Sequence, residues 1–202
     1  IRFRGEAEGM GKVNLRNIDD KTASHLAVIM DELDDLAEKY NVPKIRGVIA
    51  SGRKRNAIAS MGGGVLTLNP KYFNTYINKE SLVKKVKPSK PNTWKFGDDL
   101  EKRAWTADYY VEGGMNKMRN TLYHEFAHTV HQMKYVDDTV DYGVRYIPPV
   151  ERALASLKKK VSATKYGDKN SKEWFAENFS LYHNGRKDLV DPKFINFIEE
   201  EM

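Results

Sequence analysis

The chain has 202 residues, 40% of them hydrophobic and 11% aromatic, and its 34 basic and 28 acidic side chains give a net charge of +6. This composition suits one globular domain, or at most two small ones, and excludes a disordered polymer. No apolar run reaches the roughly 18 residues that a bilayer crossing needs. The absence of cysteine excludes disulfides, thiolate zinc sites and iron–sulfur clusters, so any metal must be bound by His, Asp or Glu.

The N-terminal half predicts a mixture of helix and strand. Apolar residues at helical spacing predict an amphipathic helix from residue 19 or 20 to residue 40, with an aspartate as its cap. Short strands are predicted at 45–50, 57–60 and 65–68, with a basic turn at 51–56 and a glycine-rich interruption at 61–64. Asn69 and Pro70 then suit the cap and the first position of a second helix.

The C-terminal half predicts mainly helices. Apolar side chains recurring every four residues predict a long helix at 115–135. Further helices are expected at 150–163, after the Pro148 and Pro149 pair, at 171–183 and at 192–202, the last with Asp191 as its cap. A Lys- and Pro-rich stretch near 84–97 separates the halves. We therefore expect a single α+β domain, with a mixed subdomain at 1–97, a helical subdomain at 98–202 and a cleft between them.

The most informative motif lies inside the long predicted helix. His124, Glu125 and His128 form the H-E-x-x-H pattern. Histidines four residues apart lie on one helix face, so both imidazoles can bind one Zn²⁺. The glutamate between them can reach a water bound to that zinc, take its proton as it attacks a carbonyl, and pass the proton to the leaving amine. The pattern therefore predicts two metal ligands and a general base.

A catalytic zinc site needs a third protein ligand. His131 follows His128 by three residues, but helical rise places it about 10 Å along the axis from His124, too far to share the metal. Glu173 and Glu177 are better candidates, because a carboxylate pair set between aromatic residues needs a cation nearby. One of them can bind the metal while the other orients a ligand histidine, and spacing alone does not decide which.

A second motif gives the sequence its family resemblance. Tyr166 and Gly167 precede the segment E-W-F-A-E, which begins at Glu173, seven residues after the tyrosine. Combined with H-E-x-x-H, this interval resembles the anthrax lethal factor-like zinc peptidases, a gluzincin-type group that includes the secreted bacterial Pro-Pro endopeptidases. The specific motifs span roughly residues 113–184.

The resemblance implies a zincin-like metallopeptidase fold and an endopeptidase that hydrolyses peptide or protein substrates. It implies one Zn²⁺ per chain, bound by His124, His128 and Glu173. It also implies that Tyr166 stabilises the oxyanion and that Glu177 orients a ligand histidine. Secretion is the compartment that the resemblance favours, although the chain starts at Ile1 without a basic-then-apolar leader and can be a processed or truncated product.

A strand along the cleft is the expected place for substrate binding. Zinc peptidases of this architecture pair an extended substrate with an edge strand, and segment 61–68 is our candidate for it. We therefore expect substrate contacts at Gly63, Gly64, Val65 and Leu66. The sequence leaves open whether proline is preferred beside the cleaved bond, and it does not give the oligomeric state.

A second hypothesis comes from the basic charge. Residues 53–55 and the lysines between 84 and 90 could bind nucleic acid or an anionic surface, with a degenerate peptidase fold as scaffold. These basic residues are not interleaved with aromatic ones, and the positions of the catalytic motif are intact. The sequence therefore favours the peptidase over a nucleic-acid partner.

Overall fold

The computed structural model describes residues 12–52, 57–78, 104–133 and 162–200. Within these ranges the fold is mixed α+β, as predicted, with five α-helices and one four-stranded sheet. The elements, in chain order, are β1 (Lys12–Asn14), α1 (Asp20–Lys39), β2 (Gly47–Ala50), β3 (Ala59–Gly62), β4 (Val65–Leu68), α2 (Pro70–Asn78), a 3₁₀ turn (Ala107–Tyr110), α3 (Gly114–Met133), α4 (Ser171–His183), a second 3₁₀ turn (Lys187–Leu189) and α5 (Pro192–Glu200).

The helices form where apolar periodicity and capping residues coincide, which confirms the predictions for α1 to α5. Asp19 caps α1 by accepting a hydrogen bond from the Thr22 backbone N–H at 2.7 Å. Asp191 accepts one from the Lys193 N–H at 3.0 Å at the start of α5. The predictions for 84–97 and 134–135, and most of the helix at 150–163, lie outside the described residues; Ser162 and Ala163, at its predicted end, are not helical.

The sheet has the order β1-β2-β4-β3, with β3 antiparallel to β4 and the other neighbours parallel. The strand predicted at 57–60 in fact forms at Ala59–Gly62. Gly63 and Gly64 both have positive φ, 56° and 75°, so they form the tight two-residue turn of a β-hairpin and let the strand continue through Gly62.

This topology corrects the predicted edge strand. β4 is paired on both sides, with β2 and with β3, so Val65 and Leu66 offer no open backbone edge. Among the described strands, β3 is the one at the edge next to β4. The period-2 pattern of residues 65–68 did not show which strand would be internal, because strand order is set by tertiary pairing.

Helix α3 lies at the centre of the described fold. It packs against α1, α2, α4 and the edge strand β3. The apolar residues that recur at every fourth position of this helix are fully buried: Met118, Leu122, Phe126 and Val130. The buried apolar side chains of the sheet, of α1 and of α4 belong to the same cluster, so both halves of the sequence contribute to the core around α3. None of the helices in the described ranges combines the length and the apolar content that a membrane crossing requires.

Candidate metal centre

Three side chains from α3 and α4 converge beside the core. Helical spacing puts the His124 and His128 rings on one face of α3, with ring centres 5.0 Å apart. Glu173 faces them from the first turn of α4, its Oε2 3.1 Å from His124 Nε2 and 3.6 Å from His128 Nε2. The ligand atoms of the three residues all lie within 4.8 Å of one another, so the cluster could hold a metal ion.

The start of α4 fixes the position of Glu173. Asn170 is the N-cap, and its side-chain oxygen accepts a hydrogen bond from the Glu173 backbone N–H at 3.0 Å. Asn170 and Glu173 have the spacing of a capping box, the signal in the sequence by which this cap could have been predicted. The cap sets where the helix begins, and therefore which residue of α4 faces the histidines.

Glu173 Oε2 is a buried oxygen that accepts no hydrogen bond from the described part of the chain. The nearest nitrogen, His124 Nε2, is at 3.1 Å, but the other nitrogen of that ring faces Glu177 at 2.8 Å. When Nδ1 carries the hydrogen, Nε2 and Oε2 point lone pairs at each other, which repel unless a cation or a proton lies between them. The residues present therefore fit a bound metal cation.

The electrostatics of the cluster give the same indication. Burial by itself would lower the pKa of His124, but the carboxylates of Glu173 and Glu177 that face its two ring nitrogens outweigh it and raise the pKa to about 10. Burial also opposes ionisation of Glu173, yet His124 and His128 hold the pKa of that carboxyl below its usual range. The pKa of His128 is lowered, first by burial and then by the charge of His124. The carboxylates favour one positive charge between the rings and disfavour two.

Glu177 lies behind His124, on the side away from Glu173. Its side chain is almost fully buried, with 2% of the residue exposed. One oxygen is 2.8 Å from His124 Nδ1, and the other accepts a hydrogen bond from the Ala107 backbone N–H at 2.7 Å. This pair of contacts fixes the ring orientation of His124, the usual arrangement for a histidine that binds a metal. The backbone donor at Ala107, in the first 3₁₀ turn, was not predicted.

Glu125 points toward the sheet. Its Oε2 accepts a hydrogen bond from the Met61 backbone N–H on the edge strand β3, at 3.1 Å. In an antiparallel pair, alternate residues turn their N–H groups away from the neighbouring strand, and Met61 turns its N–H toward α3. This contact between Met61 and Glu125 was not predicted from the sequence.

Tyr166 reaches the cluster from the segment before α4. Its ring centre is 5.8 Å from that of His124. Burial and the charges of Glu173, Glu125 and Glu177 raise the pKa of the phenol, so it stays protonated and can donate a hydrogen bond. The residue after Tyr166 is glycine for a packing reason, because a Cβ at Gly167 would overlap the Ser162 side chain.

A short backbone pairing holds the Tyr166 segment in place. The Tyr166 N–H donates to the Trp105 carbonyl at 2.9 Å, and the Lys165 N–H donates to the Ala104 carbonyl at 3.0 Å. The Tyr166 side chain also contacts the Trp105 ring, with ring centres 6.5 Å apart, and the Lys169 ammonium, 3.9 Å from its ring centre. Neither Trp105 nor Lys169 was singled out from the sequence.

The structure separates the remaining predicted residues from this cluster or leaves them undescribed. Gly63 and Gly64 form the hairpin turn, where their carbonyl oxygens accept hydrogen bonds from Arg46. His131 is buried and packs against Phe175, with ring centres 5.3 Å apart, and it is not one of the three clustered residues. The basic residues at 53–55 and 84–90 lie outside the described ranges.

Comparison with known proteins adds no assignment. No family model, no curated protein and no solved structure matches this chain. Its function has to be inferred from the residues and their geometry.

Proposed function

We propose that this protein is a zinc-dependent endopeptidase of zincin-like fold, similar to the lethal factor-like peptidases. One observation carries the proposal: the ligand atoms of His124, His128 and Glu173 lie within 4.8 Å of one another. The buried Glu173 oxygen, without a hydrogen-bond donor among the described residues, supports a cation at their centre. Glu125, on the same helix, is the general base of the pattern.

The donor set favours zinc among the common metals. Two imidazoles and one carboxylate suit a borderline ion, whereas Mg²⁺ and Ca²⁺ prefer sites made of oxygen ligands alone. Three protein ligands leave a fourth position open, which distinguishes catalytic zinc sites from structural ones. When bound, Zn²⁺ would act as a Lewis acid toward the scissile carbonyl and lower the pKa of water.

Three residues of the chain then have separate roles in the hydrolysis. The Glu125 carboxylate takes one proton from the attacking water as its oxygen bonds to the carbonyl carbon, and it delivers that proton to the amine as the C–N bond breaks. The Tyr166 hydroxyl donates a hydrogen bond to the carbonyl oxygen as negative charge develops there. Glu177 keeps His124 in the tautomer and orientation that present Nε2 to the metal.

The test is a mass-spectrometric cleavage profile of the zinc-loaded protein against a diverse peptide library that includes proline-rich sequences. Glu125→Gln is the control, because it keeps the shape of the side chain and removes the base. We expect cleavage by the wild type, a loss of about 10²- to 10⁴-fold in the variant, and one zinc per chain in both. Full activity in Glu125→Gln would refute the mechanism, and wild-type protein that holds no zinc would refute the site.

A further inference from the structure

An aromatic and basic rim, exposed at Trp105 and Lys169, borders the candidate metal centre. It consists of Trp105, Tyr166 and Lys169, and we call it the Lys169 rim. The Lys169 ammonium lies 3.9 Å from the ring centre of Tyr166 and 5.6 Å from that of Trp105. Trp105 is 55% exposed, unusual for the largest apolar side chain, so it presents its ring to whatever enters from solvent.

The Lys169 ammonium makes no close ion pair with a described residue, and its charge is one of those that lower the pKa of Glu173 at the metal centre. Two exposed lysines elsewhere do pair with carboxylates, Lys187 with Glu199 at 2.9 Å and Lys44 with Glu38 at 2.7 Å. Lys169 forms no such pair with any residue that the structure describes; its contacts there are the two rings and a backbone hydrogen bond to the Tyr166 carbonyl. Cation–π contact holds the ammonium in place without neutralising its charge.

The rim is also close to the reacting centre. The ring centres of Tyr166 and His124 are 5.8 Å apart, which puts the Lys169 ammonium no more than about 10 Å from the His124 ring. The backbone hydrogen bond between the Tyr166 N–H and the Trp105 carbonyl, at 2.9 Å, holds together the two segments that carry these rings. A peptide that extends from the metal centre toward this charge would therefore reach it within about three residues of the scissile bond, given about 3.3 Å per extended residue.

We propose that the Lys169 rim is a subsite for a carboxylate of the substrate, so that the enzyme favours peptides with an acidic group near the cleaved bond. This inference rests on the proposed peptidase function. The carboxylate can come from an Asp or Glu side chain or from the C-terminus of the peptide, since the ammonium recognises the same group in both. Trp105 would pack against the aliphatic part of that residue.

Binding to a zinc-loaded Glu125→Gln protein tests the subsite without requiring cleavage. The probes are fluorescein-labelled ten-residue peptides in which one Glu replaces Gln at each position in turn, together with an acid and amide pair at the C-terminus. Fluorescence anisotropy gives the Kd of each. We expect the best Glu peptide to bind about three-fold more tightly than its Gln counterpart, the size of one exposed ion pair, and the preference to shrink at high salt.

Variants of the lysine assign the preference to the rim. In the Glu125→Gln background, Lys169→Gln should abolish it, Lys169→Glu should reverse it and Lys169→Arg should retain it. Lys12→Glu is the matched charge control, because Lys12 is exposed on β1, at the far side of the sheet from β3. A preference confined to the acid and amide pair would identify the terminal carboxylate, and one at an internal position would identify a side chain.

Two results would overturn the subsite: equal Kd values for all the matched peptides, or a preference that survives in Lys169→Gln. Either can occur in an enzyme that cleaves peptides, so failure of the subsite is distinct from failure of the proposed function. Conversely, a lysine-dependent preference in a protein that cleaves nothing would support the subsite and reject the peptidase.

Discussion

Helix α3 carries two clusters of buried or half-buried charge that are built differently. In the first, the Arg119 guanidinium donates to both oxygens of Glu32 on α1, at 2.7 and 2.8 Å, and the Tyr123 hydroxyl donates to the same carboxylate at 2.8 Å. In the second, His124 lies between two glutamates, and one oxygen of Glu173 has no hydrogen-bond donor in the described part of the chain. The two clusters are adjacent along the helix, since Tyr123 of the first directly precedes His124 of the second.

The difference separates a structural role from a ligand-binding one. In the Glu32 cluster the carboxylate is paired with one guanidinium, and both of its oxygens accept hydrogen bonds. Burial raises the pKa of Glu32, but Arg119 and Tyr123 outweigh this effect and hold the pKa below its usual range. The histidine cluster contains more carboxylate than cationic charge, and Glu173 Oε2 has no hydrogen-bond donor among the described residues. Folded proteins tolerate such an unsatisfied buried acceptor mainly at sites that bind a ligand or an ion. Four predictions test this contrast, in decreasing order of expected effect.

Glu173→Gln should cause the largest loss. The amide keeps the size of the side chain but is a poor zinc ligand, so we expect zinc affinity to fall by more than about 100-fold, beyond the range typical of outer-shell partners. Competition titration with a colorimetric chelator measures it. Glu32→Gln is the matched control in the other cluster, and zinc binding by that variant should equal that of the wild type. Undiminished affinity in Glu173→Gln would move the ligand role to another residue.

Glu177→Gln should have the next largest effect. Glutamine can still accept the Ala107 N–H, but it no longer provides a carboxylate for the Nδ1–H of His124. We expect zinc affinity to fall by about 10- to 100-fold while the fold is retained. The same titration measures it, with circular dichroism as the check on folding. An unchanged Kd for zinc would show that Glu177 is a structural carboxylate only.

Glu32→Ala should destabilise the fold and leave zinc binding unchanged. Removing the carboxylate leaves the half-buried Arg119 guanidinium and the Tyr123 hydroxyl without their hydrogen-bond acceptor. We expect the free energy of unfolding to fall by about 1 to 2 kcal/mol at this partial exposure. Urea denaturation of the metal-free protein gives the free energy of unfolding. If Glu32→Ala lost zinc as readily as Glu173→Gln, the two clusters would be one coupled network.

His183 provides a histidine with the opposite electrostatics to His124. Burial and then the charges of Lys39 and Lys187 lower its pKa to about 3, and its Nε2 is 2.7 Å from the Tyr40 hydroxyl. Below pH 6.5 His183 binds a proton in the unfolded chain but stays neutral in the folded one. The contribution of neutral His183 to the free energy of unfolding is therefore present above pH 6.5 and is lost progressively toward pH 3.

The corresponding variant is His183→Gln, which keeps an acceptor near Tyr40 but does not titrate. Between pH 7 and pH 5 the free energy of unfolding should decrease by about 1 to 2 kcal/mol less in the variant than in the wild type. Urea titrations of both metal-free proteins at the two pH values measure the difference. Parallel pH dependences would show that His183 does not resist protonation in the folded state.

The sequence predicted what depends on local spacing. Periodicity and caps located the α-helices to within a few residues, and the i, i+4 histidines placed two imidazoles on one face. What it missed depends on tertiary pairing: strand β1, the shift of β3 by two residues, the strand order and the two 3₁₀ turns. The backbone donors at Ala107 and Met61 have no side-chain signature, since every residue except proline carries an N–H.

The hydrogen bond from Met61 to Glu125 makes the alignment of the β-hairpin a determinant of where the Glu125 carboxylate points. Met61 lies opposite Leu66, and this register turns its N–H outward to the carboxylate. A slip of one residue would turn that N–H inward and bring Ser60 or Gly62 to the outer edge, with the opposite orientation of every side chain. The glycine turn that closes the hairpin begins two residues after Met61, so a change at Gly63 or Gly64 that shifts this register would also alter the orientation of Glu125.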